Sequence, residues 1–127
     1  MSNRQRRYKS NHNGISIRPD YGRINISKRV IELLEYPEFI HFEKYNDTYL
    51  ALTVGSLNDE NSYKVKVQNK GGHSINSVEL VRKIFSEFAI SRKEEDIFSP
   101  FYNIKGATLN GKYAILVQMK NFNYRSY

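Results

Sequence analysis

Basic and aromatic side chains stand side by side at both ends of this chain. The sequence reads "RRYK" at 6–9 and "KNFNYRSY" at 120–127. Lysine and arginine hold phosphate groups, and aromatic rings stack on unpaired bases, with each stack worth about 1–3 kcal/mol. This mixture therefore favours nucleic-acid binding, although packing against a core is the alternative for Phe122 and Tyr124. The terminal candidates are Arg4, Arg6, Arg7, Tyr8, Lys9, Lys120, Tyr124 and Arg125.

The positive charge of the chain is confined to its ends. The 127 residues carry a net charge of +7, of which 1–14 contribute +4 and 101–127 another +4, whereas 15–100 carry −1. Clustered cations attract polyanions and release their counterions on binding. A polyanion partner is one interpretation, and a solubilising tail is the other.

Residue types that would support catalysis or metal binding are sparse. Cysteine is absent, which excludes disulfides and thiol chemistry. The histidines, His12, His41 and His73, lack the spacing of known metal motifs, and no phosphate-loop, dinucleotide or nucleophile-elbow motif occurs. His41 alternates with apolar neighbours, so we expect it to point to solvent or to its hairpin partner. We predict no catalytic residue, no metal and no cofactor, with ligand capture in a pocket left open.

Hydrophobic patterning predicts a small antiparallel, β-rich α+β domain with two short helices. The first helix follows Ser27 as N-cap and ends at Pro37, and the second begins after Asn76 or Ser77. Asn110 and Gly111 form a two-residue hairpin turn signal. The predicted strands are 15–18, 23–26 and 63–67, the predicted hairpins are 39–54 and 101–119, and the predicted polar loops are 55–62 and 91–100.

The chain divides into a basic tail, a folded region and a second tail. Residues 1–14 are predicted to be disordered, and 121–127 form a basic aromatic C-terminal tail. Residues 15–120 form one α+β domain, within which two interpretations stay open. Either the similarity of its halves is coincidental, or 15–57 and 63–119 are tandem strand–helix–hairpin repeats. The repeat aligns Ser27 with Ser77 at an offset of 50, and Leu52 with Leu116 at an offset of 64.

The run "GRINISK" at 22–28, within 15–54, resembles the swapped-hairpin module of AbrB/SpoVT-like, cradle-loop barrel proteins. Ser27 stands where proline is usual in that class. The resemblance implies a dimer, or a pseudo-dimer of two repeats in one chain, that contacts DNA through basic residues near turns and strand ends. Carried onto this sequence, those residues are Arg18, Arg23, Lys28 and Arg29. His73 stands where a second copy would repeat Arg23, which argues against a symmetric DNA site.

The N-terminal stretch "MSNRQRRYKSNHN" is similar in composition to the basic tails of some phage anti-CRISPR proteins. We therefore predict a non-enzymatic protein that binds nucleic acid or a nucleoprotein. The alternative is a phage-type anti-defence inhibitor that binds a nuclease effector complex. Without an 18-residue apolar run or a secretory signal, we expect a cytoplasmic protein with no membrane partner.

Overall fold

The computed structural model describes residues 14–68, 71–90, 96–100, 104–120 and 123–125. Within these ranges the chain forms two helices and two antiparallel sheets, which confirms the predicted small α+β class. Among the described residues, neither helix has the length and apolar composition of a membrane-spanning segment. The helices are α1 (Lys28–Leu33) and α2 (Val78–Glu87). The strands are β1 (Gly14–Arg18), β2 (Arg23–Ile26), β3 (Phe39–Lys44), β4 (Tyr49–Val54), β5 (Ser62–Lys64), β6 (Lys66–Val67), β7 (His73–Asn76), β8 (Asp96–Pro100), β9 (Ile104–Leu109), β10 (Lys112–Gln118) and β11 (Asn123–Arg125).

The centre of each sheet joins the two halves of the chain. One sheet has the order β11-β8-β1-β2-β7-β6, and the other has the order β5-β3-β4-β10-β9. In the first, β2 pairs with β7 and sets Ile24 opposite Ile75. In the second, β4 pairs with β10 and sets Leu52 opposite Ile115. Both central ladders therefore depend on residues that are distant in sequence.

A single hydrophobic cluster unites the two sheets and both helices. Successive side chains of a strand point to opposite faces, so alternate strand residues enter this core. Burial of these apolar side chains is the main driving force for the fold. The fully buried members include Ile24, Ile75, Leu52 and Ile115 from the strands and Ile31 and Ile84 from the helices.

Local turn chemistry behaves as predicted at the β9–β10 hairpin and differently at the end of α1. Asn110 and Gly111 have φ angles of 53° and 80°, the left-handed pair that the hairpin turn requires. Helix α1 ends at Leu33, earlier than predicted. Glu35 and Tyr36 then adopt φ angles of 61° and 55°, so the chain leaves the helix before it reaches Pro37.

The two serines predicted as N-caps occupy equivalent positions but behave differently. Ser77 caps α2, because its hydroxyl accepts a hydrogen bond of 3.0 Å from the backbone N–H of Leu80. Ser27 precedes α1 with extended backbone, but its hydroxyl makes no capping bond. The Ser27 hydroxyl is buried and has no hydrogen-bond partner in the described part of the chain.

Three sequence predictions are corrected by long-range strand pairing. The predicted loop 91–100 contains β8, which pairs with β1 and places Ile97 in the core. The predicted C-terminal tail contains β11, which pairs with β8, so the sheet continues beyond 120. The predicted strand 63–67 divides at buried Val65 into β5 and β6, which belong to different sheets. Pairing with remote strands outweighs the polar composition of the first two segments.

Candidate nucleic-acid interface

The β1–β2 hairpin sets two arginines directly opposite each other. Arg18 ends β1, Arg23 begins β2, and the two form a cross-strand pair. Their neighbours Ile17 and Ile24 are buried in the core. Because side chains alternate along a strand, Arg18 and Arg23 lie on the opposite, outer face of the sheet. Like charges placed opposite each other on one face of a strand pair are destabilising, and a bound anion offsets that effect.

The pairing of β2 with β7 adds an asparagine to these arginines. Asn76 lies opposite Arg23, and the Arg23 Nε donates a hydrogen bond of 3.2 Å to its Oδ1. We call Arg18, Arg23 and Asn76 the arginine row.

A second row of polar side chains lies beside the arginine row on the same face. The Asn25 amide donates a hydrogen bond of 3.4 Å to the hydroxyl of Ser16. Ser74, which lies opposite Asn25, is fully buried and accepts a hydrogen bond of 2.7 Å from the Gln68 amide. Lys66 of β6 lies opposite Ser74. This face therefore combines cations with hydroxyl and amide groups.

An exposed aromatic ring stands at the tip of the same hairpin. Tyr21 is 61% exposed, and the Arg18 guanidinium carbon lies 4.5 Å from its ring centroid. A guanidinium over an aromatic face is attracted by the ring quadrupole. The pair presents a phosphate-binding group and a stacking surface together.

The hairpin tip is held against helix α2. Gly22 has a φ angle of 60°, and a Cβ atom built on it would lie 2.5 Å from the Cγ2 atom of Val78. The backbone N–H of Ser77 donates a hydrogen bond of 2.8 Å to the Gly22 carbonyl. Glycine is therefore required at this turn both for its backbone conformation and for the close approach of α2.

Helix α2 adds a third arginine beside the hairpin. Arg82 is exposed and lines a groove of about 1010 Å³ together with Pro19 and Asp20 of the turn. We did not predict Tyr21, Asn76 or Arg82 as contact residues from sequence. Tyr21 lies within the quoted turn "PDYG" and could have been considered, whereas Asn76 and Arg82 reach the site only through non-local packing.

The remaining predicted contact residues lie elsewhere. Lys28 and Arg29 are exposed at the start of α1, beyond the far end of β2 from Arg23. Three residue steps along that strand separate the two ends by roughly 10 Å. Lys120 is exposed after β10. Tyr124 and Arg125 lie in β11, whose backbone alone is described, and Arg4, Arg6, Arg7, Tyr8 and Lys9 lie outside the described residues.

A separate polar cluster lies on the outer face of the five-stranded sheet. His41 contacts the Asp59 carboxylate through Nδ1, and its Nε2 lies 3.1 Å from an oxygen of Glu43. Asp59 accepts hydrogen bonds from the Asn61 N–H and the Ser62 hydroxyl. These two bonds, followed by the His41 ring, lower the pKa of Asp59 from 3.8 to about 2.

The His41 cluster ties the loop after β4 to the sheet. His41 was expected to face solvent or its hairpin partner, but its ring contacts Asp59 in this loop as well as Glu43 of its own strand. Among the residues that the structure describes, no three histidine or carboxylate side chains are arranged to hold a metal ion. The contacts of His41 with Asp59 and of Ser62 with Asp59 hold the loop to the sheet, which is a structural role.

Comparison of the chain with protein-family models, curated proteins and solved structures found no match.

Proposed function

We propose that this chain is a non-enzymatic nucleic-acid-binding protein whose folded contact surface is the outer face of the six-stranded sheet at the β1–β2 hairpin. The observation that carries the proposal is the arginine row beside exposed Tyr21. The strands β1, β2, β6 and β7 contain no acidic residue, whereas Asp96 begins β8 on the other side of β1 and Asp20 lies in the hairpin turn. A phosphate backbone would therefore meet cations and neutral polar groups along these strands.

Each group of the surface has a distinct part in binding. Arg18 and Arg23 contact phosphate oxygens, and an anion between them relieves their mutual repulsion. Tyr21 stacks on a base, which favours strands whose bases are unpaired. Asn76 and the Ser16–Asn25 pair offer amide and hydroxyl groups to sugars or base edges. Contacts of this kind bind and orient a nucleic acid without a chemical step.

The direct test compares two double variants that remove the same charge from different places. Arg18→Gln with Arg23→Gln removes two cations from the arginine row, and Lys28→Gln with Arg29→Gln removes two from α1. Binding of a labelled single-stranded oligonucleotide and of a duplex is measured by fluorescence anisotropy across a salt series. The slope of log K against log salt is negative, and loss of two phosphate contacts should make it shallower. The expected change in its magnitude is about 1.4 on single strands and about 1.8 on duplex.

The proposal requires the arginine-row variant to lose affinity and slope while the α1 variant stays close to the unmodified chain. Equal losses in the two variants would show only a general charge effect and would contradict the assigned surface. A chain beginning at Gly14 measures the contribution of the basic tail in the same assay. Absence of salt-dependent binding by the full chain would overturn the proposal and favour the alternative, a protein target such as a nuclease effector complex.

A further inference from the structure

Strand β9 is the longest outer edge among the described strands. The outer strands of the two sheets are β11, β6, β5 and β9, with lengths of 3, 2, 3 and 6 residues. An edge strand carries backbone N–H and C=O groups that can pair with another strand, and proteins limit this by keeping edges short or charged. The three short edges follow that rule, and β9 does not.

The one charged side chain of β9 does not protect its edge. The strand reads "IKGATL", with Lys105 as its single charge. The ammonium group of Lys105 lies 4.5 Å from the ring centroid of Tyr49. Tyr49 belongs to β4, which is two strands further into the sheet. The lysine therefore reaches inward across the sheet instead of extending beyond the edge.

The residues in the middle of β9 are small. Gly106 lies under the Tyr113 side chain, and a Cβ atom at this position would lie 2.7 Å from the tyrosine hydroxyl. Ala107 follows it, and Thr108 is exposed. Glycine, alanine and threonine at the centre of an edge leave room for the close approach of a second strand.

We propose that β9 is a self-association edge, at which two copies of this chain pair β9 antiparallel and join their sheets into one. The proposal is independent of nucleic-acid binding. A two-fold axis normal to such a sheet keeps each residue of both copies on the same face. Because side chains alternate between the two faces along a strand, residues opposite each other must then both have even numbers or both have odd numbers. The registers centred on the strand set either Gly106 opposite Gly106 of the partner subunit or Ala107 opposite Ala107 of the partner subunit.

Both registers keep the two lysines apart, which is why a second copy fits this edge. With the axis at Gly106, Lys105 lies opposite Ala107 of the partner subunit. With the axis at Ala107, Lys105 lies opposite Leu109 of the partner subunit. Neither arrangement sets like charges directly opposite each other, so the charge pattern of β9 permits pairing with a second copy.

Substitutions at Ala107 test the edge in both registers. In the first register, with the axis at Gly106, Ala107→Lys places a lysine opposite Lys105 of the partner subunit. In the second register, with the axis at Ala107, the introduced lysine lies opposite the same substituted position of the partner subunit. The dimer dissociation constant, measured by analytical ultracentrifugation of the full chain, should therefore rise by about tenfold. Ala107→Glu should strengthen the dimer in the first register, where it faces lysine, and weaken it in the second, where it faces glutamate.

Val67→Lys is the matched control, because it adds the same charge to an exposed residue of β6, the edge of the other sheet. It should leave the dimer unchanged. A chain that stays monomeric at every concentration, or a dimer indifferent to both Ala107 substitutions, overturns the proposal. If Ala107→Lys fails to fold, amide hydrogen exchange of the unmodified chain decides. Protection of 104–109 that rises with protein concentration supports the edge, and protection that stays constant overturns it.

Discussion

The hydrogen-bond donors around Asp59 favour the ionised form of its carboxylate. The Asn61 N–H lies 3.0 Å from one carboxylate oxygen and the Ser62 hydroxyl 2.8 Å from the other, and the His41 ring contacts the second oxygen as well. Because the pKa of Asp59 in the folded chain is about 2 and its ordinary value is 3.8, ionised Asp59 stabilises the fold. That contribution is complete above about pH 4 and disappears as the pH falls towards 2.

Replacing Asp59 with asparagine should lower stability near neutral pH and have progressively less effect in acid. The free energy of unfolding is measured with urea between about pH 6 and pH 2 for the unmodified chain and for Asp59→Asn. We expect the difference between the two proteins to shrink below about pH 4. Asp47→Asn is the control, since the Asp47 side chain is 87% exposed and forms a surface ion pair with Lys44. A difference for Asp59→Asn that is independent of pH would contradict this role.

Residues with a local role could be identified from sequence, whereas residues that meet across the fold could not. Asn110 and Gly111 specify their turn through their own backbone preferences, so the prediction was correct. Asp59 and His41 are 18 positions apart, and nothing in either neighbourhood indicates their contact. Arg18 and Arg23 were selected by resemblance alone, while Asn76 joins them through the register of β2 and β7.

At the scale of the elements, the starts of the two helices offer a direct comparison. Ser77→Ala should destabilise the fold by about 1 kcal/mol, because it removes the bond that satisfies the Leu80 N–H. Ser27→Ala should be neutral or slightly stabilising, since the Ser27 hydroxyl is buried without a partner in the described part of the chain. Thermal and urea unfolding of the two variants provide the measurement. Equal losses in both would show that capping does not distinguish the helices.

The element predictions failed where a strand depends on its partner. Segments 96–100 and 123–125 are short and lack a strong strand pattern of their own. They become β8 and β11 because β8 pairs with the open edge of β1 and β11 pairs with the open edge of β8. The run 63–67 alternates perfectly, yet it turns at Val65 to serve two sheets. Periodicity reports which residues prefer a half-buried face, but the choice of partner is set by the whole core.

At the scale of the whole molecule, the strand register corrects the proposed repeat alignment. Leu52 faces the core and pairs with Ile115, whereas Leu116 pairs with Ala51 on the opposite face. The offset of 64 equates Leu52 with Leu116 and therefore exchanges the two faces of the sheet. This alignment of the two hairpins is wrong. Only an odd offset aligns the core-facing residues of β4 with the core-facing residues of β10. The duplication itself stays a prediction. It is motivated by the strand orders β6-β7-β2-β1 and β3-β4-β10-β9, because in each run two strands of one half of the chain lie beside two strands of the other half.

Neither half of the chain should fold alone. A fragment of residues 14–57 keeps the β3–β4 hairpin but exposes the edges of β2 and β4, whose partners β7 and β10 belong to the other half. We expect this fragment to lack a cooperative thermal transition by circular dichroism. Mixing it with a fragment of residues 58–127 should restore the transition. Cooperative unfolding of 14–57 by itself would show that the central ladders are dispensable.

The same central ladders determine how the protein reaches its structure. The β3–β4 and β9–β10 hairpins join neighbouring segments and can form early, but the β4–β10 ladder must close a loop that contains α2 and five further strands in the described sequence. The loss of chain entropy on closing such a loop comes before the burial of apolar surface that stabilises the contact. We therefore expect folding to proceed on the scale of roughly milliseconds to seconds typical of β-rich domains, with the meeting of the two hairpins as its slow step.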